Sequence, residues 1–213
     1  MIGIDWTVTA SLATAAGTLV LAVATFGSVR SANRSAQASE LALQEGLRPV
    51  LTESRPDDRD QKISFADDRW VRVPGGRAGI EIGPEAIYLV LSVRNIGQGI
   101  GVLQAWTCQP DVNLATVDNH PPVEEFRRQT RDLYIPPGDI GLWQGALRDR
   151  SQQLFTEMGA VIGRRQPFTL FLLYSDMAGG QRAVSRFHVV PAGDDAWLGS
   201  VVRHWNLDRA GPR

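Results

Sequence analysis

"WTVTASLATAAGTLVLAVATFGSV", residues 6–29, runs for 24 residues between Asp5 and Arg30 without one ionisable side chain. As a helix rising about 1.5 Å per residue it reaches roughly 36 Å, enough to cross a hydrocarbon core about 30 Å thick with some tilt. Trp6, Leu12, Leu19, Leu21, Phe26 and Val29 mark the span, and Val8, Val20 and Val23 add to it. Thr7, Thr9, Ser11, Thr14, Gly17, Thr18, Thr25, Gly27 and Ser28 oppose them, so insertion is favourable without being strong. A secretory signal opens on positive charge, whereas "MIGID" offers Asp5 and no Lys or Arg, although "AVATFG" imitates a cleavage site. A buried core helix is shorter or has a polar face, and this segment has none. The segment therefore reads as a membrane span.

No Lys or Arg precedes it, while Arg30, Arg34 and Arg48 follow. Positive residues stay on the cytoplasmic side, which predicts a single pass through the cell membrane with the N-terminus outside and the remaining chain inside. Arg30 and Arg34 are the topology-setting charges and would meet lipid headgroups. Within the span Ala10, Ala13, Gly17, Val20, Ala24, Gly27 and Ser31 recur at three- and four-residue steps. Such a stripe of small side chains lets helix backbones approach closely, which predicts self-association or contact with another membrane helix.

"RSANRSAQASELALQEGLRP" continues in helix-favouring residues until Gly46 and Pro49 stop it. The expected organisation is a span with a short tail over 1–29, a helical stalk over 30–47, a β-sandwich domain over 48–207 and a flexible tail over 208–213. "ESRPDDRDQKISFADDRW" is dense in charge and reads as a solvated excursion. Its Asp57, Asp58 and Asp60 lack the glycine and distal glutamate of a calcium loop.

From Arg48 onward the apolar period shortens to two. "AIYLVLSVRN" alternates Ile87, Leu89, Leu91 and Val93 on one face. "GIGVLQAWTCQ", "DIGLWQGAL" and "FTLFLLYSD" follow, the last apolar on both faces and therefore central. "MAGG" turns into "QRAVSRFHVVP" as a hairpin. Short strands punctuated by Gly and Pro predict a mainly β fold, an antiparallel immunoglobulin-like sandwich. Two helices are expected as well. One places Leu154, Met158 and Ile162 on one side. The other is a C-terminal amphipathic helix with Trp197, Val201 and Trp205 at i, i+4 and i+8, capped by Asp194 or Asp195.

Asn95, Gly97 and Gly99 after a strand, "IPPG" at 135–138 and "LLYSDMAGG" at 172–180 form a layout. It resembles that of uncharacterised bacterial single-pass membrane-anchored proteins, with a stalk ending in an "LRP"-like turn and a small β-sandwich domain. The resemblance implies architecture and brings no catalytic residues. Where such proteins often carry Pro-Ala after the second glycine, this chain has Ile100-Gly101. Gly97 and Gly99 permit a bulge or positive φ there; without a following helix they make no phosphate loop.

A net charge of −1 argues against a nucleic-acid partner, and Cys108 alone forms no internal disulfide. Lys62 is the single lysine among 22 basic residues. No Walker, HExxH, CxxC or G-x-S-x-G motif is present, so no catalytic, cofactor or metal residue is assigned. Arg127, Arg128 and Arg131 make a small basic cluster beside Glu124 and Glu125. The sequence thus predicts a membrane-anchored protein-interaction or scaffolding module, in contact with lipid and an unidentified protein. The alternative is a tethered enzyme or small-ligand sensor gathering Asp111, Asp118, His120 or His188 in one pocket.

Overall fold

In the computed structural model, residues 6–110, 119–193 and 195–209 are described. Helix α1 (Trp6–Gly46) is a single helix of 41 residues, about 62 Å long at 1.5 Å per residue. The expected span and stalk are thus one element. The chain divides into two units, with the boundary between Glu45 and Gly46.

The second unit is mainly β. Its strands are β1 (Leu51–Glu53), β2 (Gln61–Ser64), β3 (Trp70–Val73), β4 (Arg77–Ile82), β5 (Ile87–Asn95), β6 (Gly101–Gln109), β7 (Arg127–Ile135), β8 (Ile140–Leu147), β9 (Phe168–Ser175), β10 (Ala183–Ala192) and β11 (Ala196–Asn206). Helix α2 (Gln153–Gly163) joins β8 to β9. All pairings are antiparallel. On one edge of β5 lies β8; on the other, β4 and β1 follow each other along the strand. β4 meets β11, which pairs with β10 along its length, and β9, β6 and β7 complete the order. The sheet curls into two sandwich-like layers that are continuous through β11.

Inside the curl lies one cluster built from all of these strands: Leu51, Leu89, Leu91, Leu103, Trp106, Ile135, Trp143, Leu172, Phe187 and Trp197 are among its members. Met158 and Ile162 of α2 join it on the face the sequence assigned to them. Every residue of β9 is buried, because β10 and β6 flank it and both its faces are covered. Outside the curl, Phe126, Phe171, Val184 and Trp205 form a second cluster.

Three sequence readings change. The C-terminal segment is strand β11, not a helix. Spacings of four satisfy both periods, and Trp, Val, Val, His and Trp favour extended backbone. Gly199 fits that placement: a Cβ there would stand 2.3 Å from Leu91 Cδ1, so the Leu91 side chain packs into the space the glycine leaves. A bulge at Val202 then switches faces, leaving Trp197 and Val201 inside the curl and Trp205 outside it. Asp195 sits in the turn between β10 and β11, and Asp194 lies outside the described residues. The charged excursion contains the β2–β3 hairpin, whose Ile63, Val71 and Val73 bury against Tyr88 and Val90 on the outer face of β5. The basic cluster begins strand β7, which the sequence left unassigned.

Asn95 ties four stretches together. Its Oδ1 accepts from Val50 N at 3.2 Å and Gly97 N at 3.0 Å, and its Nδ2 donates to Gly99 O at 2.7 Å and Ile135 O at 2.9 Å. Its backbone bonds Asp139 and Gly138. Gly97 and Gly99 do not adopt positive φ. They are needed for proximity instead: a Cβ would fall 2.2 Å from Arg48 O at Gly97 and 1.7 Å from Leu47 O at Gly99. Arg48 in turn forms a two-pronged pair with Asp208, 2.6 Å and 3.0 Å, so the start and end of the domain meet. Asn95→Ala removes all four bonds from a buried site and is expected to cost about 2–4 kcal/mol. Tryptophan-monitored urea unfolding of the detergent-solubilised chain measures it.

Candidate functional site

Two features stand out for function: a helix whose large apolar side chains are exposed, and a cleft between two sheet edges.

Along α1, Leu12, Leu19, Val20, Leu21, Val23, Phe26 and Val29 are between 53% and 69% exposed. Burying a large aliphatic side chain contributes about 1.5–3 kcal/mol, so seven left in water forgo on the order of 10 kcal/mol. The helix is long and apolar enough to cross a membrane. Its polar side chains fit that solvent better than their count implies. Ser11, Thr14, Thr18 and Thr25 each donate to the carbonyl four residues back, at 2.9, 2.9, 2.9 and 2.7 Å. The hydroxyl donors are therefore satisfied within the helix, where hydrocarbon offers no partner. Ala10, Ala13, Gly17, Ala24 and Gly27 are exposed, and a Cβ at Gly17 or Gly27 would touch nothing. Arg30 and Arg34 are exposed farther along. The side chain of Trp6 lies outside the described residues.

β7 and β8 are joined by Pro136–Asp139 but diverge into different layers: β7 pairs with β6 and β8 with β5. Across the gap between them, Gln129 Nε2 donates to Gln144 O at 2.8 Å. Beyond that bridge the gap opens into a cleft of about 640 Å³, walled by Arg127–Arg131, Gln144–Ala146, Arg148 and Asp149, with Trp106 and Ser64–Ala66 completing it. Arg127 lies 5.9 Å from the Trp106 ring and bonds Gln152. Arg148 pairs with Asp67 at 3.0 Å. The Tyr88 hydroxyl and then the Arg148 guanidinium hold the Asp67 carboxyl down to about 2. Gln129 Oε1 and Gln144 Oε1 are buried without a hydrogen-bond donor.

Of the residues proposed for an enzyme or sensor pocket, the two that are described, His120 and His188, stand apart. Asp111 and Asp118 lie outside the described residues. His120 packs edge-on against Trp205 at 5.5 Å, and Trp205 is level with Val184. His188 lies four residues farther along β10, about 13 Å away at 3.3 Å per residue. Among the described residues no three His, Cys, Asp or Glu side chains form a metal-holding group. Cys108 is buried, and burial pushes its thiol up to about 12.

A constellation that no sequence motif announces lies inside. Ser185 Oγ is 2.7 Å from His204 Nδ1, 3.0 Å from the Tyr174 hydroxyl and 3.3 Å from Leu51 O. Glu53, whose carboxylate accepts from Val201 N at 2.9 Å, raises the His204 pKa slightly against burial. The residue types are those of a hydrolytic triad, but Ser185 is 0% exposed and lines none of the clefts described above. A nucleophile needs an open face for substrate, so this is a structural knot. Its four members come from separated strands, which is why the sequence hides it.

The chain matches no protein-family model and no curated protein sequence.

Burial lowers the His204 pKa below the ordinary 6.5 of the unfolded chain. Protonation therefore favours the unfolded state, so the contribution of His204 is present above about pH 6.5 and is lost as pH falls below it. His188 is lowered too, by burial and by Arg186, and acts in the same sense. Urea unfolding at pH 7.5 and pH 5.5 should show wild-type stability falling with acid, and His204→Asn should reduce that fall while His188 retains its share.

Proposed function

We propose that this chain is a single-pass protein of the cell membrane whose β domain is displayed on the cytoplasmic face as a docking or scaffolding module for another protein. The carrying observation is α1, whose large apolar side chains are left to solvent over the whole span. The four internally bonded hydroxyls support lipid as the medium. Orientation rests on Arg30 and Arg34 after the span, with no Lys or Arg before it. For the docking role, the support is the arginine-walled cleft, where two strand edges face each other without pairing.

Alkaline carbonate extraction of native membranes tests residence: the uncleaved chain should stay in the pellet. A cysteine placed at exposed Ser200 tests orientation, since buried Cys108 stays silent to thiol reagents. Ser200→Cys should react with an impermeant maleimide in inverted vesicles and not in intact spheroplasts. Carbonate-soluble protein, or labelling from outside, defeats the reading. Crosslinking in native membranes should recover a reproducible protein partner of the domain.

A further inference from the structure

We infer that the cleft between β7 and β8 takes one extended segment of an acidic partner protein as an added strand; this deepens the docking role proposed above and rests on it. Three observations converge on that occupant. First, each strand pairs on one side only, β7 with β6 and β8 with β5, and among the described residues no backbone hydrogen bond joins β7 to β8. Facing edges of this kind offer ladder donors and acceptors to an incoming backbone.

Second, Arg127, Arg128, Arg131 and Arg148 line the cleft against one carboxylate, that of Asp149. Asp149 is engaged by Ser151 and Gln152 in its own turn. Arg128 and Arg131 are exposed and have no acidic partner among the described residues, so their charge is available to a ligand.

Third, Gln129 and Gln144 line the cleft, and the Oε1 of each is buried without a donor. A phosphodiester group, in a lipid headgroup or a nucleic acid, brings acceptors only; it would satisfy the arginines and leave both oxygens as they are. A peptide strand brings both, carboxylates for the guanidinium groups and N–H donors of the kind the two carboxamide oxygens lack. Charge sets the sign of the partner, and the orphan acceptors favour a peptide over a phosphodiester.

The test uses the full chain in detergent and a fluorescent, end-blocked hexapeptide of alternating glutamate and valine, read by anisotropy at physiological salt. Saturable binding is expected. Arg128→Glu with Arg131→Glu should weaken it at least tenfold, with an unchanged circular dichroism spectrum because both side chains are exposed. The same peptide with methylated backbone nitrogens keeps its charge, loses its donors and should also bind at least tenfold more weakly. Inorganic phosphate, anionic lipid vesicles and a single-stranded oligonucleotide should not displace the peptide at equal charge concentration. No binding, equal binding by the charge-reversed chain, equal binding of the methylated peptide, or displacement by any of these phosphates overturns the inference. Carbonate extraction and crosslinking are read separately, so those outcomes leave the membrane-module reading standing or falling on its own data.

Discussion

The carboxamide of Asn95 bonds the residue before β1, the glycine turn that follows β5 and the last residue of β7, and its backbone holds the turn into β8. These contacts join three stretches, at Val50, Asn95–Gly99 and Ile135–Asp139, that lie about 40 residues apart in the chain, so a single side chain fixes where the two layers of the sheet stand at this end. A buried amide that makes all four of its bonds is rigid in a way an apolar contact is not, since any displacement orphans several polar groups together. The glycines act with it. Leu47 and Arg48 put their carbonyls where Cβ atoms would be, so the entry of the chain into the domain and the Asn95 turn interlock backbone to backbone. The Arg48–Asp208 pair then fastens the far end of the domain to the same entry point.

From that anchored end, β11 governs how the sheet closes. It pairs with β10 over its whole length and with β4 at Trp197 and Leu198, which makes the two layers continuous on that side. The bulge at Val202 turns Trp205 outward to Phe171 and Val184, while Trp197 stays inside against Phe168. Continuity on one side leaves the free edges of β7 and β8 together on the other. Trp106 and Trp143 meet edge to face at 5.1 Å between β6 and β8. The cleft is the space left next to strands that never pair.

Much of this was legible in the amino-acid order. Period-two alternation in Ile87–Val93, the fully apolar Phe168–Tyr174 and the Gly-rich turn between β9 and β10 led to antiparallel β structure, and the uninterrupted apolar run led to the long helix. The "LRP", "NIGQG", "IPPG" and "LLYSD" stretches were visible as separate motifs; that they converge through Asn95 and Tyr174 was not, because hydrogen bonds spanning 40 to 134 residues leave no local period. β11 misled because i, i+4 and i+8 fit a strand as well as a helix, and the bulge hid the change of face. β7 escaped because its Arg, Gln, Thr and Asp residues carry no apolar alternation, and of its nine residues only Ile135 is buried. The cleft was legible only as its arginines; the gap itself comes from pairing partners.

The charge on β7 has a bland reading: exposed edges commonly carry charged side chains so that copies of the same protein do not zip together. That reading accounts for repulsion between like edges, since two β7 strands would bring arginines against arginines. It does not account for Gln129 and Gln144, whose buried oxygens add a polar cost that edge protection does not require. The two roles are compatible, because one set of guanidinium groups that repels a second copy also attracts a carboxylate-bearing strand. An edge defended only against itself could use any charge. An edge that carries three arginines to one aspartate, with unpaired ladder groups and unmet acceptors beside it, favours one sign of partner over the other.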